Sequence, residues 1–267
     1  MKAITGIGIG VAMAGIMVGA LMEGTNPAGL INIPALCIIC GGTIGVTMAS
    51  TNFRSAMSMP KLAIQAMKGD DHDATHTIQT MVQLSEKARR NGLLALEEDV
   101  ANIDDAYTRK GLQLVVDGTD SDLVRSILES EVEAMEHRHH QGAQNFKAAS
   151  GFAPTIGILG TVMGLVNVLA HLNEPAVLGP HIAGAFLATL YGVGSANIIF
   201  LPIANKLAAM SAEEANHRYM VLDAILSIQA GDNPRVLGEK LEAHIPPAER
   251  GKQAEESAEA EPLREAA

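Results

Sequence analysis

The stretch AASGFAPTIGILGTVMGLVNVLA, residues 148–170, decides the fold of this chain, because it is long and apolar and contains no Asp, Glu, Lys or Arg. Three further stretches share this composition: Ala3 to Met22, Gly24 to Phe53 and Pro175 to Asn205. Each can hold the roughly 20 residues that a helix needs to cross a bilayer. Backbone in lipid must satisfy its own hydrogen bonds, so long apolar runs become helices. The sequence therefore predicts an all-α membrane protein with four transmembrane helices.

The order of these stretches predicts a two-plus-two arrangement. Helices 1 and 2 are expected in residues 1–53 and helices 3 and 4 in residues 148–205, with short turns at 24–29 and 171–180. Glycines spaced as small-xxx-small pairs favour close helix contacts. A cleaved signal peptide is the alternative for the first stretch, which is long and lacks a convincing small-residue cleavage site.

Charged residues are concentrated outside these helices. In TIQTMVQL, residues 77–84, and LVRSILESEVEAM, residues 123–135, the apolar positions have a helical period. We therefore expect a helical cytoplasmic domain over residues 54–147. Residues 206–247 are predicted to extend helix 4 and to end in a short helix. Residues 248–267 are rich in Ala and Glu and are predicted to be a disordered acidic tail.

The distribution of basic residues predicts the orientation. One lies at Lys2, eleven lie within residues 54–147 and seven lie from Lys206 onward, whereas the two short connections carry only Glu23 and Glu174. By the positive-inside rule, the N-terminus, the central domain and the tail are all cytoplasmic. The net charge of -11 argues against a broad basic face for nucleic acid.

Ionisable residues in membrane helices usually mark function, and these stretches offer only His181, near the outer end of helix 4. The other polar groups at depth are hydroxyls and amides, chiefly Thr161, Asn167, Thr189, Tyr191, Ser195 and Asn197. Each of these threonines lies about 21 to 26 Å from the charged inner end of its helix, so the two can face one another. The alternative is that each hydroxyl bonds its own helix four residues back. If the chain conducts ions, a partner must supply the carboxylate.

Two prolines, Pro154 and Pro202, lie near the inner ends of helices 3 and 4. Each removes one helix hydrogen bond and favours a bend. The pair is a candidate hinge that passes an ion-driven change to the cytoplasmic domain. The structural alternative is that they are prolines tolerated in membrane helices.

Cysteines and histidines predict no metal or redox site. Cys37 and Cys40 lie in an apolar helix, where packing is favoured over redox chemistry. The cluster His137-Arg-His-His could bind a metal, but no fixed ligand set completes it, and a solvated helix before helix 3 is favoured. No nucleotide loop or nucleophile with its base is evident, so we expect no cofactor and no enzymatic activity.

Four segments carry a resemblance to a known family. They are EKARRNGLLALEE at 86–98, FAPTIGILGTVMGL at 152–165, LATLYGVGSAN at 187–197 and ILSIQAGDNPRVL at 225–237. In this order they resemble the MotA/PomA family of flagellar motor stator proteins, which is related more distantly to ExbB and TolQ. The resemblance covers about residues 2–247.

This resemblance implies a mechanism. Five copies of the chain would surround the single membrane helices of two MotB-type subunits, which are anchored to peptidoglycan and whose aspartate carries the ion. Ion flow would rotate the ring, and the cytoplasmic domain would push the rotor protein FliG. The location implied is the bacterial inner membrane.

The resemblance also implies roles for individual residues. Arg89 and Glu97 match the rotor-contacting pair, with Arg90 and Glu98 as neighbours; read as one helix, Arg89 and Glu97 would share a face only loosely. If the resemblance is set aside, these four charged residues are expected to form a solvated helix face. Pro154 and Pro202 match the coupling prolines, and the ion-pathway positions are Thr155, Thr161, Ala188 and Thr189.

The transported ion is expected to be the proton. Sodium-type members typically carry Thr-Thr where this chain has Ala188-Thr189, which leaves one fewer oxygen for a cation. A sodium-driven stator remains one alternative. An ExbB or TolQ-type energy transducer is another, although two helices before residue 54 argue against it, and a solute transporter or membrane enzyme is the third.

Overall fold

The structure is a computed structural model that describes residues 4–51, 53–68 and 74–245. Those residues form helices and their connections, without strands. The predicted tail 248–267 lies outside the described residues. In chain order the helices are α1 (Ile4–Met22), α2 (Ile33–Ser50), α3 (Phe53–Lys68), α4 (Ala74–Asn91), α5 (Glu97–Ala101), α6 (Ala106–Val116), α7 (Ser121–Ala170), α8 (Pro175–Gly194), α9 (Leu201–Ala230) and α10 (Pro234–Glu242).

Shorter segments of other helix types join some of these helices. Single 3-10 turns, Pro27–Leu30 and Leu93–Leu96, precede α2 and α5. A π-helical segment, Ser195–Phe200, connects α8 to α9, so that helical structure runs from Pro175 to Ala230.

The described chain divides into two compact units. The first lies within residues 1–71 and 138–211, and the second within 72–137 and 212–267. The predicted cytoplasmic segment 54–147 therefore contributes its middle to the second unit and both of its ends to the first.

The first unit contains α1, α2, α8 and the apolar part of α7. Four helical segments of the described chain are long and apolar enough to span a membrane: Thr5–Met22, Pro27–Ser50, Ser121–Ala170 and Pro175–Ala230. The predicted all-α fold with four such helices is confirmed. The apolar window of α1 is entirely unburied, and its Val11 is 67% exposed. Exposing this apolar surface to water would be unfavourable in free energy, so these helix faces are suited to contact lipid or neighbouring subunits.

A capping asparagine and first-turn prolines mark where α2 and α8 begin. The side chain of Asn32 accepts a hydrogen bond of 3.0 Å from the backbone N–H of Ala35, and Pro34 occupies the first turn of α2. Helix α8 begins at Pro175, so the turn expected to run to Pro180 is shorter than predicted. The physical reason is that proline is favoured in a first helical turn, where its missing N–H leaves no bond broken.

The second unit has its own hydrophobic core. Gly111 on α6 lies against neighbouring helices, since a Cβ there would come within 2.4 Å of Ile225 and 2.9 Å of Leu128. Gly118 and Gly231 have φ of 74° and terminate α6 and α9 in the left-handed region that favours glycine. The largest fully buried side chains of this core are Met81, Leu96, Leu112, Leu128, Met135, Met220, Leu222, Ile225, Ile228, Leu237 and Leu241.

Candidate functional site

Helices α7 and α8 pack backbone against backbone through small residues. A Cβ on Gly164 would lie 2.6 Å from the Cβ of Ala185, and one on Gly192 would lie 2.5 Å from the carbonyl oxygen of Ala153. These separations are too short for any side chain larger than glycine unless the helices shift. Close approach of this kind is how helices associate in lipid, where no hydrophobic force acts between them.

The close approach brings two hydroxyls together. The Oγ1 of Thr161 on α7 and the Oγ1 of Thr189 on α8 are in direct hydrogen-bonding contact. Thr161 also lies 3.1 Å from the carbonyl oxygen of Gly157 in its own helix and 2.9 Å from that of Ala185 across the interface. The two expected geometries, contact across the interface and a bond four residues back, therefore coexist at Thr161.

The resulting cluster contains two hydroxyls and two backbone carbonyls. Thr189 lies 3.5 Å from the carbonyl oxygen of Gly157, which both hydroxyls thus share. Both threonines are partly buried. Each hydroxyl has one proton and two lone pairs, so the cluster can reorient its protons without moving heavy atoms. Such a group can pass or coordinate a small cation, but it has no charge of its own.

The other two predicted pathway residues lie elsewhere. Thr155 is exposed, and its hydroxyl donates to the carbonyl of Phe152 at 2.7 Å. Ala188 is 1% exposed, and its Cβ faces Gly160 at the α7–α8 contact. Neither side chain joins the hydroxyl cluster.

The two predicted hinge prolines are partly buried and lie inside continuous helical structure. Pro154 directly follows Ala153, whose carbonyl oxygen faces Gly192 at the closest point of the α7–α8 contact. Pro202 lies two residues after the end of the π-helical segment Ser195–Phe200. A wider turn accommodates a residue that lacks an N–H, and such turns recur at functional sites. The π-helical segment was not predicted from the sequence, where Pro202 is its only signal.

A phenol ties α8 to the start of α2. The hydroxyl of Tyr191 donates to the carbonyl oxygen of Leu30 and accepts from the backbone N–H of Asn32, the latter at 3.0 Å. Tyr191 is two residues from Thr189, so it fixes α8 close to the hydroxyl cluster. The sequence identifies Tyr191 only as a polar group at depth.

The predicted charged motif does not lie on one helix. Helix α4 ends at Asn91, and Gly92 follows with φ of 84° and donates its N–H to the carbonyl of Ala88 at 2.8 Å. A 3-10 turn then leads to α5, which begins at Glu97. The estimate that Arg89 and Glu97 loosely share a helical face assumed one helix, and that assumption is wrong, since the two residues lie on α4 and α5. The physical reason is the left-handed glycine, which ends the first helix between them.

An ion pair links the two halves of this motif. The Nζ of Lys87 on α4 lies 2.6 Å from a carboxylate oxygen of Asp99 on α5. Each side chain is 38% exposed, so the pair contributes at most about 1 kcal/mol to stability and acts mainly by fixing the turn. This pair was not predicted from the sequence, although opposite charges flank the Gly-Leu-Leu turn there.

Four charges project beside this pair. Arg89, Arg90, Glu97 and Glu98 are all exposed. Over the residues that the structure describes, the hydrogen bonds and ion pairs involve none of these four side chains. They are available to a partner of complementary charge, and exposed charges of this kind steer association more than they stabilise a fold.

Comparison with known proteins identifies the class. Residues 99–220 match the model of the MotA/TolQ/ExbB proton channel family. Motility protein A of Bacillus subtilis is 36% identical over 254 residues, which cover 94% of this chain and 93% of that protein. The chemotaxis protein PomA of Vibrio alginolyticus is 33% identical over 237 residues, covering 89% of this chain and 93% of that protein.

Two solved structures share the fold. A structure of C. jejuni MotAB superposes with a TM-score of 0.88 at 28% identity, covering 92% of this chain and 97% of that chain. The flagellar MotAB stator complex from Bacillus subtilis gives a TM-score of 0.87 at 36% identity with the same coverage.

The chain belongs to the MotA/TolQ/ExbB proton channel family. Its relatives among the motility A proteins and its likeness to MotAB stators make it a stator-type subunit of an inner membrane. The family resemblance inferred from the four sequence segments is thereby confirmed.

Proposed function

We propose that this chain forms one wall of a proton channel in a flagellar stator and transmits the resulting motion to the rotor. The observation that carries the proposal is the cluster of Thr161 and Thr189 at the glycine-lined contact of two apolar helices. Polar groups are rare in apolar membrane helices, so hydroxyls and carbonyls that cluster there mark a candidate ion pathway.

The partner supplies the charge. The four apolar stretches contain no Asp, Glu, Lys or Arg, so a carboxylate that binds and releases protons must come from another chain. A MotB-type subunit with one membrane helix and an early aspartate fits this requirement. The MotAB complexes that this chain resembles support such a partner.

Coupling runs through the inner ends of the two helices. Pro154 lies beside the tightest contact of α7 with α8, and Pro202 follows the π-helical segment. A displacement of the two threonines would shift α7 against α8, because a closely packed interface lined by glycine does not deform gradually. The two prolines weaken the helices where such a shift would bend them.

The free charges of the α4–α5 turn contact the rotor. Arg89, Arg90, Glu97 and Glu98 would meet complementary charges of a FliG-type protein. This assignment requires both termini and the second unit to be cytoplasmic, as the distribution of basic residues predicts. A homopentamer around two partner helices is the proposed assembly, and the large unburied apolar faces support contacts beyond the single chain. Torque production in this scheme requires no enzymatic chemistry.

The proton is the proposed ion. Ala188 stands where a second hydroxyl would be expected in a sodium site, and it is buried against Gly160 rather than open to the cluster. A cation such as sodium requires several oxygen ligands, and position 188 adds no oxygen to the two hydroxyls and two carbonyls of the cluster. A sodium-driven stator is the competing assignment.

Two measurements test the proposal. Swimming speed, recorded with and without sodium at fixed pH, should be independent of sodium; a strict sodium requirement would contradict the proton assignment. Proton flux into liposomes should require this chain together with its MotB-type partner. Flux of a solute through the purified chain alone would contradict the stator function.

A further inference from the structure

Two histidines that the proposed pathway does not use meet at one end of the α7–α8 hairpin. The rings of His171 and His181 have centroids 5.4 Å apart and planes inclined by 68°. They are ten positions apart in the sequence, and α8 begins between them. Both are partly buried. In the proposed orientation this end of the hairpin faces away from the cytoplasm.

The hydrogen bonds of the two rings leave nitrogen lone pairs free. The Nδ1 of His171 lies 2.9 Å from the carbonyl oxygen of Asn167. In the tautomer with the proton on Nδ1, this bond leaves the Nε2 lone pair for another partner. Metal-binding histidines characteristically donate their second ring N–H to such a carbonyl. The Nδ1 of His181 is buried and has no hydrogen-bond partner within the described structure.

The separation of the rings fits a shared metal ion. Zinc binds histidine nitrogen at about 2.0–2.1 Å with tetrahedral angles, which places the centroids of two bound imidazoles about 5 Å apart. The observed 5.4 Å is within a small side-chain adjustment of that value. Two aromatic rings that simply pack edge to face have a similar separation. The ring separation alone therefore does not indicate a metal site, and the free nitrogen lone pairs are the second observation that supports one.

Room for further ligands lies next to His181. A cavity of about 320 Å³ is lined by His181 together with the amides of Asn32 and Asn167. Its volume holds several water molecules, and a buried water needs polar partners such as these amides. Within the described residues no group of three or more His, Cys, Asp or Glu side chains surrounds a metal position. Water would therefore complete the coordination, as in sites that keep open positions.

We propose that His171 and His181 form a binding site for a divalent transition metal, with zinc as the favoured ion. Imidazole ligands suit zinc and its neighbours, whereas magnesium and calcium prefer oxygen ligands. Bound metal would tie the end of α7 to the start of α8, the same two helices that carry the hydroxyl cluster.

Zinc binding by the purified full-length protein, together with its partner subunit, tests the site. Titration calorimetry with zinc chloride should give a site that the double variant His171→Gln/His181→Gln loses. Removing even an outer partner of a metal site weakens binding about tenfold or more, so each single variant should lose at least that. Glutamine is close in size and polar, and elution of the variants with the partner subunit at the unchanged volume checks that they fold.

The histidine cluster before the apolar part of α7 provides the matched control. A variant in which His137, His139 and His140 are all glutamine should retain the zinc site. Cobalt, substituted for zinc, should give a visible absorption band typical of nitrogen coordination in this control and in the unmodified protein but not in the double variant. Unchanged zinc affinity in a correctly assembled double variant, or loss of the site in the control, would overturn the proposal.

Discussion

The hydroxyl of Thr161 on α7 is in hydrogen-bonding contact with the hydroxyl of Thr189 on α8, although 28 residues separate them in the chain. The contact exists because glycine and alanine line the interface and let the two backbones approach. The hydroxyl of Thr161 is also within hydrogen-bond distance of the carbonyl oxygens of Gly157 and Ala185. A polar cluster thus lies at an interface lined by glycine and alanine, which carry no ionisable side chain.

Removing either hydroxyl should slow ion flow. Thr161→Val and Thr189→Val preserve side-chain shape, and an interhelical hydrogen bond in a membrane is worth about 0.6–1.5 kcal/mol. If that energy serves ion passage, the flux should fall about three- to tenfold. Proton uptake by liposomes that contain the complete complex measures it. Thr161→Ser retains the hydroxyl and should retain most of the flux; equal losses in the Ser and Val variants would contradict the role of the hydroxyl.

A methyl group at Gly192 should destabilise the α7–α8 contact. It would lie 2.5 Å from the carbonyl oxygen of Ala153, so the helices must move apart at a cost of about 1–3 kcal/mol. Thermal denaturation of the purified complex should show a lower midpoint for Gly192→Ala. Gly194→Ala is the control, since nothing lies within 4 Å of a Cβ there. Equal midpoints for the two variants would show that the helices are not packed as described.

Pro154→Ala should abolish torque while the protein still inserts and assembles. Alanine restores the N–H that can bond the carbonyl of Ser150, which straightens and stiffens α7 beside the Gly192 contact. Rotation of tethered cells measures torque, and co-purification with the partner measures assembly. Pro60→Ala changes another proline inside a helix of the same unit and should leave torque intact. Normal torque in the Pro154 variant would leave this proline with only a structural role.

Charge reversal in the α4–α5 turn should impair swimming without loss of the complex. Arg89→Glu and Glu97→Lys each place a repulsive charge where the proposed rotor contact lies, so the effect should be on rotor engagement. Swimming speed and membrane abundance are the two measurements. Arg125→Glu, also an exposed arginine of the second unit, is the control and should swim normally. Full motility of both reversal variants would count against the rotor contact.

The alkaline stability of the second unit should depend on Tyr107. Burial raises the pKa of this phenol well above its usual value, and the nearby Arg218 guanidinium opposes the rise only in part. Because the folded pKa exceeds the unfolded one, the neutral phenol contributes stability that is complete below about pH 10 and is lost as the pH rises further.

The phenol can be removed without removing the ring. The denaturation midpoint of the unmodified protein should fall more between pH 9 and pH 11 (about one unit either side of the usual phenol pKa) than that of Tyr107→Phe. The ring of Tyr107 lies 5.1 Å from the Arg218 guanidinium, a contact that phenylalanine keeps. Parallel pH profiles for the two proteins would contradict the assignment.

Local patterns predict a large part of this structure. The uncharged stretches predict four apolar helices because a bilayer leaves backbone no other way to satisfy its hydrogen bonds. Family segments locate the prolines and the charged motif by position. The exact start of α8 and the glycine break after α4 were not predicted, because each depends on a single residue whose turn-forming effect competes with a strong helical pattern.

The sequence by itself determined that this is a four-helix membrane protein without a carboxylate in its spans, since hydropathy and charge act residue by residue. Only the tertiary structure decided which polar groups meet. Thr161 joins Thr189 but not Thr155, Lys87 pairs with Asp99, and His171 faces His181. Such pairings depend on how closely two helices approach and on which residues share their contact, and spacing along the chain encodes neither.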